Sequence, residues 1–90
     1  MSLLDQYSFE DLTNEAERLV VDELERRLAA LRTDAEEEQV LDMAAYALNR
    51  VSPLYRVNLL GRLYTRNVPD EYRLEVQRAV TAAVRKVMGS

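Results

Sequence analysis

The 90-residue chain contains no cysteine, no histidine and no tryptophan, and only two glycines and two prolines. Without cysteine, disulfides are impossible. Without cysteine or histidine, a structural zinc site would need mostly carboxylates, so no metal is expected. The same absences remove the commonest general base and the best nucleophile. Glycine occurs only at Gly61 and Gly89, which leaves no glycine-rich phosphate loop of the P-loop or dinucleotide type. Acidic pairs such as Glu36 to Glu38 fall near helix starts, where they complement the helix dipole. The chain is therefore not expected to be an enzyme. Long apolar runs are lacking too: Met43 to Leu48 is far below the roughly 18 residues of a membrane span. "MSLLDQYSFEDL" has no basic region of the signal-peptide kind, so a cytoplasmic protein without a membrane partner is expected.

What is present is charge, unevenly placed. The net charge is −4, but residues 1–48 carry −9 and residues 49–90 carry +5. An acidic half repels a long polyanion while a basic half can hold a compact one. Ninety residues make one small domain with a thin stability margin. With disulfides and metals removed as supplements, oligomerisation is left, and a homodimer is expected.

Apolar periodicity predicts a mostly α-helical fold. Leu12, Ala16, Leu19, Val20, Leu24, Leu28 and Leu31 recur at steps of three and four, the pattern of a helix over residues 8–31, with Ser8 and Asp11 resembling a capping box. Thr33 or Asp34 is placed to cap a second helix. Its body, "QVLDMAAYALNRV", is apolar on nearly all sides, as expected of the central and most buried helix, with Asp42 as its one charged interior residue. The Ser52-Pro53 step ends that helix there or just before. Leu54, Tyr55, Val57, Leu63, Tyr64 and Thr65 are strand-compatible, so residues 54–66 read as a short hairpin, turning over 58–61, or as an extended loop. Pro69, Asp70 and Glu71 open a last helix over 69–88, with Tyr72, Val76, Val80, Ala83, Val84 and Val87 as its buried stripe. The expected architecture is a compact dimeric bundle of three main helices with an extended segment at about 54–66 and a flexible stretch at 1–7.

The stretch "AYALNRVSPLYRVNLLGRLYTRN" concentrates basic and aromatic residues in its middle. Eleven of the twelve basic residues are arginine, whose planar fork matches phosphate and the O6/N7 edge of guanine. Tyr46, Tyr55, Tyr64 and Tyr72 interleave with them, and aromatic faces beside guanidinium groups suit a stacked base. Asp42 either pairs with an arginine or accepts the N1–H and N2–H of a guanine. Residues 42, 46, 49 and 50 fall on one side of neighbouring helical turns. Asp42, Asn49 and Arg50 thus approach the segment that carries Tyr55, Arg56, Arg62 and Arg66, and these seven are the candidate ligand-binding residues.

"LDMAAYALNRVSPLYRV" resembles the central motif of the late-competence ComFB family. That motif is Asp, an apolar residue, Ala-x-Ala-Leu-Asn, an apolar residue, Pro-Pro and Tyr. Asp42, Ala45, Ala47, Leu48, Asn49, Pro53 and Tyr55 hold those places. "NEAERLVVDEL" is similar to the family's opening pattern through Asn14, Glu17 and Val20, and "GRLY" before a helix resembles its tail. The likeness spans about residues 7–88, so residues 1–90 form one ComFB-like domain. Two departures stand out. Some members bind zinc through cysteines where this chain has "RTDAEEEQVL", and the first proline of the pair is Ser52, which is expected to loosen that residue.

The resemblance implies a small, dimeric, mostly helical bacterial protein that acts as a cyclic di-GMP receptor. The ligand's two phosphates and two guanines suit the arginines, Asp42 and Tyr55, and an unidentified downstream protein would receive the signal. The alternative is a ligand-free protein–protein interaction or dimerisation module in which the basic half meets an acidic surface. DNA binding is the weaker third reading, because the acidic helix 8–31 opposes a nucleic-acid polymer.

Overall fold

Helix boundaries in this chain are set by groups that take over unpaired backbone donors and acceptors. The structure, a computed structural model, describes residues 2–7, 12–57 and 68–89. Among them lie α1 (Leu3–Gln6), β1 (Leu12–Asn14), α2 (Glu15–Ala30), α3 (Glu37–Leu48), β2 (Tyr55–Val57) and α4 (Asp70–Met88). α2, α3 and α4 pack on one another as the expected three main helices. α1 is a single turn capped by Ser2 and buries none of its residues.

The first long helix starts at Glu15, not near residue 8, because Leu12–Asn14 is drawn into a strand. β1 pairs antiparallel with β2 in the register Leu12 to Val57, Thr13 to Arg56 and Asn14 to Tyr55. The partner of β2 is thus the segment before α2, not the second arm of a hairpin within 54–66. The expected turn at 58–61, the strand residues 63–65 and the capping pair Ser8 and Asp11 lie outside the described residues. The cap that operates is Asn14, whose Oδ1 accepts from the Ala16 N–H at 3.1 Å and from the Leu54 N–H at 2.9 Å. The Glu15 N–H in turn donates to the Leu54 carbonyl at 2.7 Å. One residue of the α3–β2 connection is therefore held on both its backbone groups.

α2 ends in a Schellman arrangement: the Thr33 N–H donates to the Leu28 carbonyl (3.2 Å) and the Arg32 N–H to that of Ala29 (3.1 Å). Arg32 occupies the left-handed position at φ 53°, where glycine is the usual occupant. Thr33 closes this turn through its hydroxyl, which donates to the Leu31 carbonyl. It does not cap α3. That cap is Glu36, in a reciprocal capping box with Gln39, whose Oε1 accepts the Glu36 N–H at 3.0 Å. α4 follows the sequence closely, with Pro69 as N-cap and Gly89 in the left-handed conformation at φ 77°.

The core is formed by Ala16, Val20 and Leu24 of α2, Met43 and Ala47 of α3, and Tyr72, Val76, Ala79, Val80, Ala83 and Val84 of α4. Val51 and Val68 close its ends. The most buried helix is α4, with six buried residues against two on α3, and not α3 as its apolarity suggested. Alanine makes α3 apolar all round but offers little area to bury, whereas the valine-rich stripe of α4 buries more per residue. α3 turns Leu41 (59% exposed), Asp42 and Ala45 outward. Asp42 is thus a surface residue and not an interior charge. Among the described residues no helix is long and apolar enough to cross a membrane.

Two substitutions test these boundary devices by urea denaturation. Arg32→Gly should stabilise the fold by about 0.5–1 kcal/mol, since an L-residue in the left-handed region is unfavourable by about 1–2 kcal/mol. Asn14→Ala should destabilise by about 1–3 kcal/mol, because it removes a helix cap and leaves the Leu54 N–H without its acceptor.

Candidate functional site

Two of the candidate residues, Asn49 and Arg50, lie where α3 stops. The last turn closes through Asn49, whose N–H donates to the Ala45 carbonyl (3.1 Å), and Arg50, whose N–H donates to that of Ala47 (2.9 Å). Val51 is buried, and the chain then leaves the helix ahead of Pro53. Ser52 is gripped by α4 on both sides of its backbone. Its N–H donates to Glu75 Oε2 at 2.5 Å, and its carbonyl accepts the Tyr72 hydroxyl at 2.5 Å. The expected loosening at Ser52 is absent; the position is fixed by two hydrogen bonds from a neighbouring helix.

Two residues earlier, Arg50 is oriented by an aromatic neighbour. Its Cζ lies 4.1 Å from the centroid of the Tyr46 ring, in cation–π contact one turn earlier on α3. Both residues are on the row the helical spacing predicts. Arg50 also borders a groove of about 450 Å³, lined with Glu71, Glu75, Arg78, Ala79 and Ala82 of α4. A second groove of about 470 Å³ runs between α2 and α4 and carries Arg18, Arg26 and Arg73. Its α2 arginines are already neutralised, Arg18 by Glu15 (3.2 Å) and Asp22 (3.1 Å), and Arg26 by Glu23 (2.5 Å). An anion gains less there, because it would compete with carboxylates already in place. Arg50 and Arg78 form no ion pair among the described residues.

The other candidates are less closely grouped. Asp42 is exposed on the same side of α3, two turns before Arg50, without an ion pair among the described residues. Asn49, also exposed, is the C-cap of α3. Tyr55 is 60% exposed on β2, and the backbone of Arg56 pairs with Thr13. No hydrogen bond or ring contact joins Tyr55 to Arg50 among the described residues. The Arg56 side chain, Arg62 and Arg66 lie outside the described residues. Sequence reasoning missed Glu71, Glu75 and Arg78 as neighbours of Arg50. Their spacing along one stripe of α4 was visible, but which helix face meets the end of α3 was not.

The matched profile is that of "Late competence development protein ComFB", over residues 13–90. The chain belongs to the ComFB late competence family. No curated protein and no solved structure matches it. The ComFB match takes in α2, α3, β2 and α4 but leaves α1 outside. The turn at Arg32 and the capping box at Glu36 stand where the resemblance places cysteines in some ComFB members. Among the described residues no group of three or more potential metal ligands occurs.

The Ser52 clasp has a pH signature. Burial, and secondarily the negative charge of Glu75, hold the Tyr72 hydroxyl above its ordinary pKa of 10.0. The folded state keeps this proton where the unfolded state loses it, so the contribution is complete below pH 10.0 and is lost as pH rises through the folded pKa. Tyr72→Phe should lower stability by about 1 kcal/mol at neutral pH. It should also flatten the fall in stability between about pH 9 and about pH 11, read from urea midpoints.

Proposed function

We propose that this ComFB protein is a non-catalytic receptor for cyclic di-GMP that passes the signal to a protein partner as a homodimer. The observation that carries the reading is Arg50. It is stacked on Tyr46 at 4.1 Å, next to a groove, on a chain segment that α4 holds in place. A guanidinium oriented before binding loses less entropy when it meets a phosphate or a guanine edge. Tyr55, exposed on β2, offers a face on which a base can stack. Asp42 remains a candidate guanine reader through its place on the Tyr46–Arg50 row, although its exposure removes the burial cost that first singled it out. Asn49, Arg56, Arg62 and Arg66 complete the proposed contacts.

A second reading, a ligand-free interaction module, draws on the charge split between residues 1–48, which carry −9, and residues 49–90, which carry +5. It makes the dimer salt-sensitive and the protein indifferent to nucleotide, which sedimentation at low and high salt would reveal. Isothermal titration with cyclic di-GMP separates the two. Heat and saturable binding at tens of micromolar protein support the receptor, and their absence refutes it. Arg50→Lys keeps the charge but loses the fork, and should weaken binding by about 1–3 kcal/mol. Wild-type affinity in that variant would remove Arg50 from the site.

A further inference from the structure

The groove beside Arg50 has a chemical pattern more specific than positive charge. Glu71, Glu75, Arg78 and Ala82 lie at steps of four, three and four residues, one stripe of α4, with buried Ala79 as part of the floor. Glu75 is occupied by the Ser52 N–H. Glu71 and Arg78 are exposed and have no ion-pair partner among the described residues. Seven residues of α-helix separate them, about 10 Å along the axis, enough for a planar base between two long side chains.

Guanine is the base that this pair matches. Its N1–H and N2–H are adjacent donors that suit the two oxygens of one carboxylate, while O6 and N7 on the adjoining edge suit an arginine fork. Adenine would bring its N1 lone pair against the carboxylate. Ala79 and Ala82, beside and beyond Arg78, leave that end of the groove open to a flat ring. The groove volume, about 450 Å³, falls in the range of ligand sites.

We infer that this α4 groove is a guanine subsite, with Glu71 reading the Watson–Crick edge and Arg78 the O6/N7 edge, while Arg50 takes the adjoining phosphate. The inference rests on the cyclic di-GMP reading and assigns to it two residues outside the original candidate set. Asp42 is left to the ligand's second guanine.

The test is titration of the full chain with cyclic di-GMP and with cyclic di-IMP, whose hypoxanthine base lacks only the exocyclic N2 amine. The wild type should prefer cyclic di-GMP by about fivefold or more. Glu71→Gln should weaken cyclic di-GMP by about tenfold or more and erase most of that preference. Arg78→Ala should weaken both ligands alike. Asp70→Asn, which removes the neighbouring charge outside the groove, should leave both affinities near wild type, and thermal melts confirm that each variant is folded. Simple removal of a negative charge would strengthen binding of an anion, so a loss in Glu71→Gln is diagnostic. Unchanged affinity and preference in Glu71→Gln, or unchanged affinity in Arg78→Ala, overturns the subsite while leaving the receptor reading intact. A wild type that binds no cyclic di-GMP overturns both.

Discussion

The fold depends on a single junction at Leu54. Its N–H goes to the side chain of Asn14 and its carbonyl to the N–H of Glu15. The same Asn14 oxygen caps α2. Three things are thereby tied to one residue: where α2 begins, how β1 lies against β2, and where the chain goes after α3. A partly buried amide left without a partner is costly, so these features support one another. Two strands of three residues would be marginal alone. Here they are an extension of a helix cap.

α4 provides the second organising element. Its buried valines hold α2 and α3 against one side, and its Tyr72 and Glu75 reach over the end of α3 to Ser52. The apolar contacts supply most of the stabilisation, while the two polar contacts decide geometry. Arg50 sits two residues from Ser52, so the helix that holds this segment also provides the floor of the candidate site.

Much of this was legible in the sequence where periodicity or capping chemistry is local. The boundaries and buried stripe of α4 could be read directly, because Pro69, Gly89 and the valine spacing act within a few residues. Helical spacing alone placed Tyr46 and Arg50 on one side of α3, where the structure stacks them. Elements fixed by distant partners could not be read in this way. Leu12 continues the apolar rhythm of α2, and nothing near it in the chain reveals that Tyr55–Val57 will claim it as a strand. Thr33 looked like a cap, yet Glu36, a less common capping residue, takes that place because Gln39 stands at the reciprocal position. Burial of α3 was misjudged because alanine content measures apolarity and not area. The meeting of Arg50 with Glu71 and Arg78 depends on helix packing, which a linear pattern does not encode.

The hydrogen bond from Ser52 to Glu75 ties the residue at the first position of the family's proline pair to a carboxylate on α4. Where a relative keeps proline at the place of Ser52, no N–H exists to donate, and a carboxylate at the place of Glu75 would lose its partner and turn toward the groove. With serine in place of that proline, a carboxylate bordering the groove has a backbone N–H to hold, and one fewer side chain is free to meet a bound molecule.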